Sequence, residues 1–218
     1  PRDGDQGEIL LRYADMAMYR VKEHGRNSVR QFVPEMGSTA ISRLDMEGAM
    51  RRGLERGEFV LHYQPKIDLV SQNVVGAEAL IRWQHPQIGL IHPLEFIRLA
   101  EETGLILPLG EWVLAEACKQ KVLWQQQDMP DVKISINMSA RQFRQEDLTD
   151  RIAGVFASTG ADPRQFIMEL TESMVMHDVD STFHSLTALK NLGLSLSLDD
   201  FGTGYSSLAY LKKCPISK

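Results

Sequence analysis

Val132-Lys-Ile-Ser-Ile-Asn137-Met-Ser139 is a short apolar run that ends on a metal-friendly oxygen side chain, and the chain holds three more of the same kind. They are Val74-Val-Gly-Ala-Glu78-Ala-Leu80, Phe166-Ile-Met-Glu169-Leu-Thr-Glu172 and Leu194-Ser-Leu-Ser-Leu-Asp199-Asp200-Phe-Gly-Thr-Gly204. Apolar runs of this length with β-branched residues read as buried parallel strands. Residue 169 follows 137 by 32 positions and 199 follows 169 by 30, close to the ~30 residues of one strand–helix–strand unit. The 59 positions from 78 to 137 leave room for two helical stretches. Residues that end such strands gather on one rim of a parallel barrel, where barrel enzymes keep their chemistry. An oxygen-ligand metal site is the natural use of such a ring.

Working outward, Phe59–Pro65 is expected as a strand stopped by its proline and Val74–Trp83 as the next strand. Helices are expected at 40–56, 93–103, 110–126, 145–159 and 179–192, with Gly104, Gly160 and Gly193 as stops. Leu148, Ile152, Val155 and Phe156 mark one apolar face, and Phe183, Leu186 and Leu189 another. Strands at 133–138, 165–171 and 194–198, and a short helix at 206–212, complete a parallel α/β fold. That makes five strands, whereas a closed (β/α)8 barrel has eight and typically ~250 residues. The expectation is therefore a chain that stops within its fold and leaves an open strand edge, which favours association.

Composition narrows the function classes. The 218 residues are 43% hydrophobic and 24% charged, enough to bury a sizeable core. A net charge of −5 without a lysine/arginine tract argues against a nucleic-acid polymer as partner. A small phosphate ligand remains open where metal ions neutralise the carboxylates. Cys118 and Cys214 are too few for a disulfide framework and read as free thiols of a reducing, cytoplasmic compartment, Cys118 in a helix core. No apolar stretch reaches ~18 residues, so no membrane contact is expected of this segment, although an upstream region of the parent protein can carry an anchor. Trp83, Trp112 and Trp124 are expected to pack, and the six histidines lack ligand spacing.

Residues 7–24 carry a helical apolar stripe of Leu10, Tyr13, Ala14, Ala17 and Val21, ended by Gly25 and Asn27, with a possible strand at 28–33. The run Ala14-Asp15-Met-Ala17-Met-Tyr19-Arg-Val-Lys22-Glu-His-Gly25-Arg26-Asn27 resembles the end of a GGDEF domain. An ordinary linker helix fits the periodicity equally well. The expected division is 1–33 as a GGDEF remnant, 34–44 as linker and 45–218 as the main domain.

The main domain resembles the EAL family of cyclic di-GMP phosphodiesterases. Gln64-Pro65, Glu78-Ala79-Leu80-Ile-Arg82-Trp83, Asn137-Met-Ser139, Glu169-Leu-Thr-Glu172 and Asp199-Asp200-Phe-Gly-Thr-Gly204 occur in that family's order and spacing. The resemblance implies a TIM-like barrel of the EAL type and hydrolysis of cyclic di-GMP to linear pGpG. It also implies Glu78, Asn137, Glu169, Asp199 and Asp200 as metal ligands, with Glu78, Asp199 and Asp200 catalytic through the ions, and a homodimer of EAL domains. Two ions, Mg²⁺ or Mn²⁺, are implied; a pair about 3.5–4 Å apart serves phosphodiester hydrolysis, and all-oxygen ligands select hard cations.

Each residue also has a plainer reading. A carboxylate after a strand often caps the following helix. Glu78, Leu80 and Arg82 share one strand face, so Arg82 is expected beside the ring to hold a phosphate, or else to pair with a rim carboxylate. Gln64 is expected at the mouth as a substrate contact or as a simple strand-end polar group. Glu172, by resemblance, braces the loop after Asp200. The family's other catalytic groups, a strand-end lysine, a glutamate and a late glutamine, would lie beyond residue 218, so little turnover is expected of this chain alone; Lys218 is not that lysine. A cyclic di-GMP receptor without catalysis and an enolase-type barrel are the alternatives. The intact oxygen ligands oppose the first, and the amide at 137 opposes the second.

Overall fold

The longest strand, Val74–His85, shows how the sheet divides its residues. Ala77, Ala79, Ile81 and Trp83 are buried while Glu78, Leu80 and Arg82 between them are half-buried, the period of two that sends alternate side chains to opposite faces. In this computed structural model the described residues are 7, 29, 43–127, 129, 131–176 and 179–199. The chain forms two compact units, Pro1–Ala49 and Met50–Lys218, and the account below concerns the second.

Helix α1 (Arg43–Arg56) leads into strands β1 (Phe59–Ile67), β2 (Val74–His85) and β3 (Gly89–Ile91). Helices α2 (Pro93–Thr103) and α3 (Ile106–Gln126) precede β4 (Lys133–Asn137). Then come α4 (Ala140–Phe143), α5 (Leu148–Thr159), a 3₁₀ turn at Pro163–Gln165, and β5 (Phe166–Thr171). Helices α6 (Glu172–Met176) and α7 (Val179–Asn191) and strand β6 (Ser195–Asp199) complete the described chain. The sheet order is β1-β2-β4-β5-β6, with β3 paired to β2. Strands β2, β4, β5 and β6 are mutually parallel. One face of the sheet is apolar: Ala77, Ile81, Ile134, Ile136, Phe166, Met168, Leu170 and Leu196 are buried, with α2 on β2, α3 on β2 and β4, and α7 on β6. The opposite face carries Glu78, Ser135, Asn137, Glu169, Ser197 and Asp199 at alternate positions.

An aromatic cluster locks the antiparallel side of the sheet to its helices. Phe59 stacks on Trp83 with ring centroids 5.3 Å apart and meets Phe96 of α2 at 5.7 Å and Trp112 of α3 at 6.1 Å. Trp83 is fully buried, and its indole N–H donates to Glu58 at 3.1 Å. At the entry to β4, the buried Lys121 donates to Asp131 at 2.8 Å and to the Val132 carbonyl at 2.7 Å, which satisfies a charge that burial would otherwise penalise. At the other end of β4, Ser139 caps α4. Its hydroxyl accepts from the Gln142 backbone N–H at 3.2 Å, and the Gln142 side-chain oxygen accepts from the Ser139 backbone N–H at 3.0 Å. This reciprocal pair ends the strand two residues after Asn137. It stands close against α3, because a Cβ on Gly110 would lie 1.7 Å from the Gln142 amide nitrogen.

Several local expectations are corrected. The first two strands are antiparallel, joined by a hairpin too short for a parallel crossover. Asp68 organises that hairpin by accepting from the backbone N–H groups of Ser71 at 2.7 Å and Val70 at 3.2 Å. Pro65 does not stop β1, which continues to Ile67, because β1 lies at an end of the described sheet, where a missing N–H is tolerated. Glu78 does not end β2. The strand runs on to His85 because β1 and β3 pair with its distal half beyond the last contact with β4. The helix expected at 145–159 is α5, which starts at Leu148, and the short α4 at Ala140–Phe143 precedes it unforeseen. Phe183 is exposed, and the buried stripe of α7 is Thr182, Leu186 and Leu189. Cys118 is a buried free thiol pushed up to about 12 by burial, which makes it unreactive. The N-terminal helix and strand, Asp200 and its glycine loop, the helix at 206–212 and Cys214 lie outside the described residues. Among the described residues, no helix is long and apolar enough to cross a membrane.

Two substitutions test this packing. A Cβ on Gly53 would stand 2.9 Å from the Trp83 indole nitrogen and 3.0 Å from the Glu58 carboxylate. Gly53→Ala is therefore expected to lose about 1–3 kcal/mol of stability in urea titration despite a gain in helix propensity of ~1 kcal/mol; a stabilised variant would refute this packing. Gly110→Ala is expected to displace the Gln142 side chain and cost about 0.5–2 kcal/mol, the usual value of a helix cap. Adding Gln142→Ala should then cost little more, and full additivity of the two would sink the explanation.

Candidate functional site

Three strands bring the polar face together. Asn137 is the last residue of β4, exposed at the rim, and its amide nitrogen donates to the Glu78 carboxylate of β2 at 2.7 Å. On its other side Asn137 pairs in register with Glu169 of β5, and the Met138 backbone N–H donates to the Glu169 carbonyl at 3.0 Å. Gln64 of β1 stands opposite Glu78 across the antiparallel ladder and is exposed. Glu78, Asn137, Glu169 and Gln64 thus occupy adjacent positions on four neighbouring strands.

The remaining residues singled out from the sequence lie further along. Asp199 ends β6, opposite Thr171 and two residues past Ser197, the partner of Glu169. Glu172 is buried at the start of α6. Arg82 shares the face of Glu78 but is four residues onward, opposite Val60, and its guanidinium donates to the Ile81 carbonyl at 2.8 Å. The structure thus gives Arg82 a backbone partner. Among the described residues, no three His, Cys, Asp or Glu side chains converge as a metal cluster. The donors are nonetheless all oxygens, two carboxylates and an amide on adjoining strands, a chemistry that suits a hard divalent cation and excludes a thiolate or imidazole site.

The sequence reading missed one member of this face. The ammonium of Lys66 donates to the Ser135 hydroxyl at 2.9 Å and forms an ion pair with the carboxylate of Glu169, which is only 9% exposed. The contact crosses from β1 to β5 over Gly76, where a Cβ would lie 3.8–3.9 Å from the lysine stem. The available signal was the period of two: Lys66 is two residues from Gln64 and so shares its face. Ending the strand at Pro65 concealed it.

The comparisons with known proteins follow this geometry. Residues 47–218 match the model of the EAL domain. The chain is 44% identical over 218 residues to the bifunctional diguanylate cyclase/cyclic di-GMP phosphodiesterase MucR of Pseudomonas aeruginosa, covering all of this chain and 32% of that protein. It is 38% identical over 216 residues to the cyclic di-GMP phosphodiesterase PdeR of Escherichia coli, covering 99% of this chain and again 32% of the relative. The chain thus spans about a third of the length of these relatives. A solved structure of the PaMucR phosphodiesterase in complex with c-di-GMP superposes with a TM-score of 0.76 at 46% identity, covering 79% of this chain and 70% of that one. The sheet register, the strand-borne oxygens and the match over most of the sequence lead to one assignment: the chain belongs to the EAL domain family.

Proposed function

We propose that the protein carrying this chain hydrolyses cyclic di-GMP to linear pGpG in a metal-dependent reaction. The observation that carries the reading is the Glu78–Asn137–Glu169 array, an amide and two carboxylates held on three neighbouring strands. The relatives named as cyclic di-GMP phosphodiesterases, and the PaMucR phosphodiesterase complex with c-di-GMP, support it.

In this proposal Glu78, Asn137 and Glu169, with Asp199 and Asp200, hold two ions, Mg²⁺ or Mn²⁺. Held by these residues, such ions would supply Lewis-acid neutralisation of phosphate charge and a more acidic bound water. Asn137 turns its amide nitrogen to Glu78; a half-turn of that amide would present its oxygen instead, so one residue can serve the ring with or without a cation. Gln64 and Arg82 bind the dinucleotide, and Arg82 would exchange its contact with Ile81 for a phosphate oxygen, a bidentate partner suited to its planar fork. Glu172 braces the loop after Asp200. The domain division at 34–44, the GGDEF origin of 1–33, a cytoplasmic setting and an EAL homodimer belong to the same proposal.

The test is hydrolysis of cyclic di-GMP by the intact protein, followed by chromatography. Turnover is expected with Mg²⁺ or Mn²⁺, abolished by chelation and restored by adding the ion back. Glu78→Ala should lower kcat/KM by at least about 10³-fold, a barrier increase of roughly 4 kcal/mol. Tight nucleotide binding without pGpG under any divalent ion would replace the hydrolase with a receptor.

A further inference from the structure

We propose that Lys66 is a positioning residue of the oxygen ring: it occupies one oxygen of Glu169, shares that carboxylate with a divalent ion, and thereby sets how tightly the ring holds the ion. The inference rests on the reading of Glu169 as a metal ligand. It goes beyond that reading because Lys66 lies outside the five oxygen side chains assigned to the ions.

The geometry is that of a built contact. Lys66 of β1 sits opposite Gly76 of β2, where a Cβ would make only ordinary van der Waals contact with the lysine stem at 3.8–3.9 Å. The Ser135 hydroxyl, 2.9 Å from the ammonium, fixes where the stem ends. The lysine side chain is 39% exposed, whereas that of Glu169 is 10% exposed, so the carboxylate is the more deeply buried partner and the one that needs a counter-charge. Lys133, on the same face, is held instead by Ser195 at 3.1 Å. Among the described residues Lys66 is thus the lysine that reaches the ring, and its contact is to one of the two carboxylate oxygens of Glu169.

Two effects oppose each other. A hydrogen-bond donor behind a ligating carboxylate orients it, and losing such a partner commonly weakens metal binding. An ammonium on the same carboxylate repels a second cation and removes part of the charge that would attract it. The second effect dominates in this proposal, because a full positive charge touching a carboxylate that is only 10% exposed is weakly screened by solvent. Without Lys66, Glu169 would keep a buried, uncompensated charge and bind the ion more avidly.

The experiment is calorimetric titration of Mn²⁺ into the intact protein, paired with melting curves with and without the ion. Lys66→Met is expected to tighten Mn²⁺ binding about tenfold, through loss of the repulsion between an ammonium and a cation on one carboxylate. It should also lower the melting temperature without Mn²⁺ and enlarge the upward shift that Mn²⁺ produces. Lys66→Arg, which keeps the charge, should stay near the wild-type Kd. Where Lys66→Met does not fold, Lys66→Gln carries the same expectation, since it is neutral but retains a donor. An unchanged or weaker Kd in the neutral variants overturns the inference, and a purely structural role would lower both melting curves equally. A wild-type protein that takes up no Mn²⁺ overturns the metal reading and this inference together. A wild-type protein that binds while the Lys66 variants do not change overturns only the role of Lys66.

Discussion

The position of β4 between β2 and β5 governs everything else at the candidate site. Ile134 and Ile136 are held in the apolar face, so Ser135 and Asn137 must point to the other. Register then decides their neighbours: Ser135 faces Glu78, and Asn137 faces Glu169. A slip of one residue would bury the polar set among helices and expose the isoleucines. The Lys121–Asp131 contact at the entry to β4 and the Ser139–Gln142 cap at its exit hold the strand at both ends. The rim chemistry is therefore a consequence of how the hydrophobic face is buried.

Placing carboxylates on a partly buried sheet face creates an electrostatic demand. Glu78 meets it with an amide N–H from Asn137, and Glu169 meets it with Lys66 and its hydroxyl anchor. Both partners lie on the same face, Asn137 on the strand next to that of Glu78 and Lys66 on β1, which is not a sheet neighbour of β5. These two carboxylates are therefore each matched by a hydrogen-bond donor or a cation from the chain itself.

The antiparallel start of the sheet serves a different end. The β1–β2 hairpin brings Phe59 against Trp83 on the buried face, and Gln64 and Lys66 beside Glu78 and Gly76 on the polar face. One pair of strands thus joins the aromatic cluster beneath the helices to the oxygen ring.

The positions of β4, β5 and β6, the longer helices α5 and α7 between them and the polar residues the strands carry were legible in the sequence, because alternation and apolar runs are local properties set by burial on one face. The family resemblance was legible for the same reason, since its motifs sit on those strands. Other features were not. Pro65 looked like a stop because its missing N–H is costly inside a sheet, and the placement of β1 at an end of the described sheet makes it harmless. Phe183 looked like core by spacing, but the packing of α7 buries Thr182 instead. Arg82 shares a face with Glu78, yet its guanidinium is engaged by Ile81. Lys66 and Glu169 are 103 residues apart and meet across strands that are not sheet neighbours. Sequence pattern determines which face a residue takes, while only the curvature and register of the assembled sheet decide which charges on that face touch.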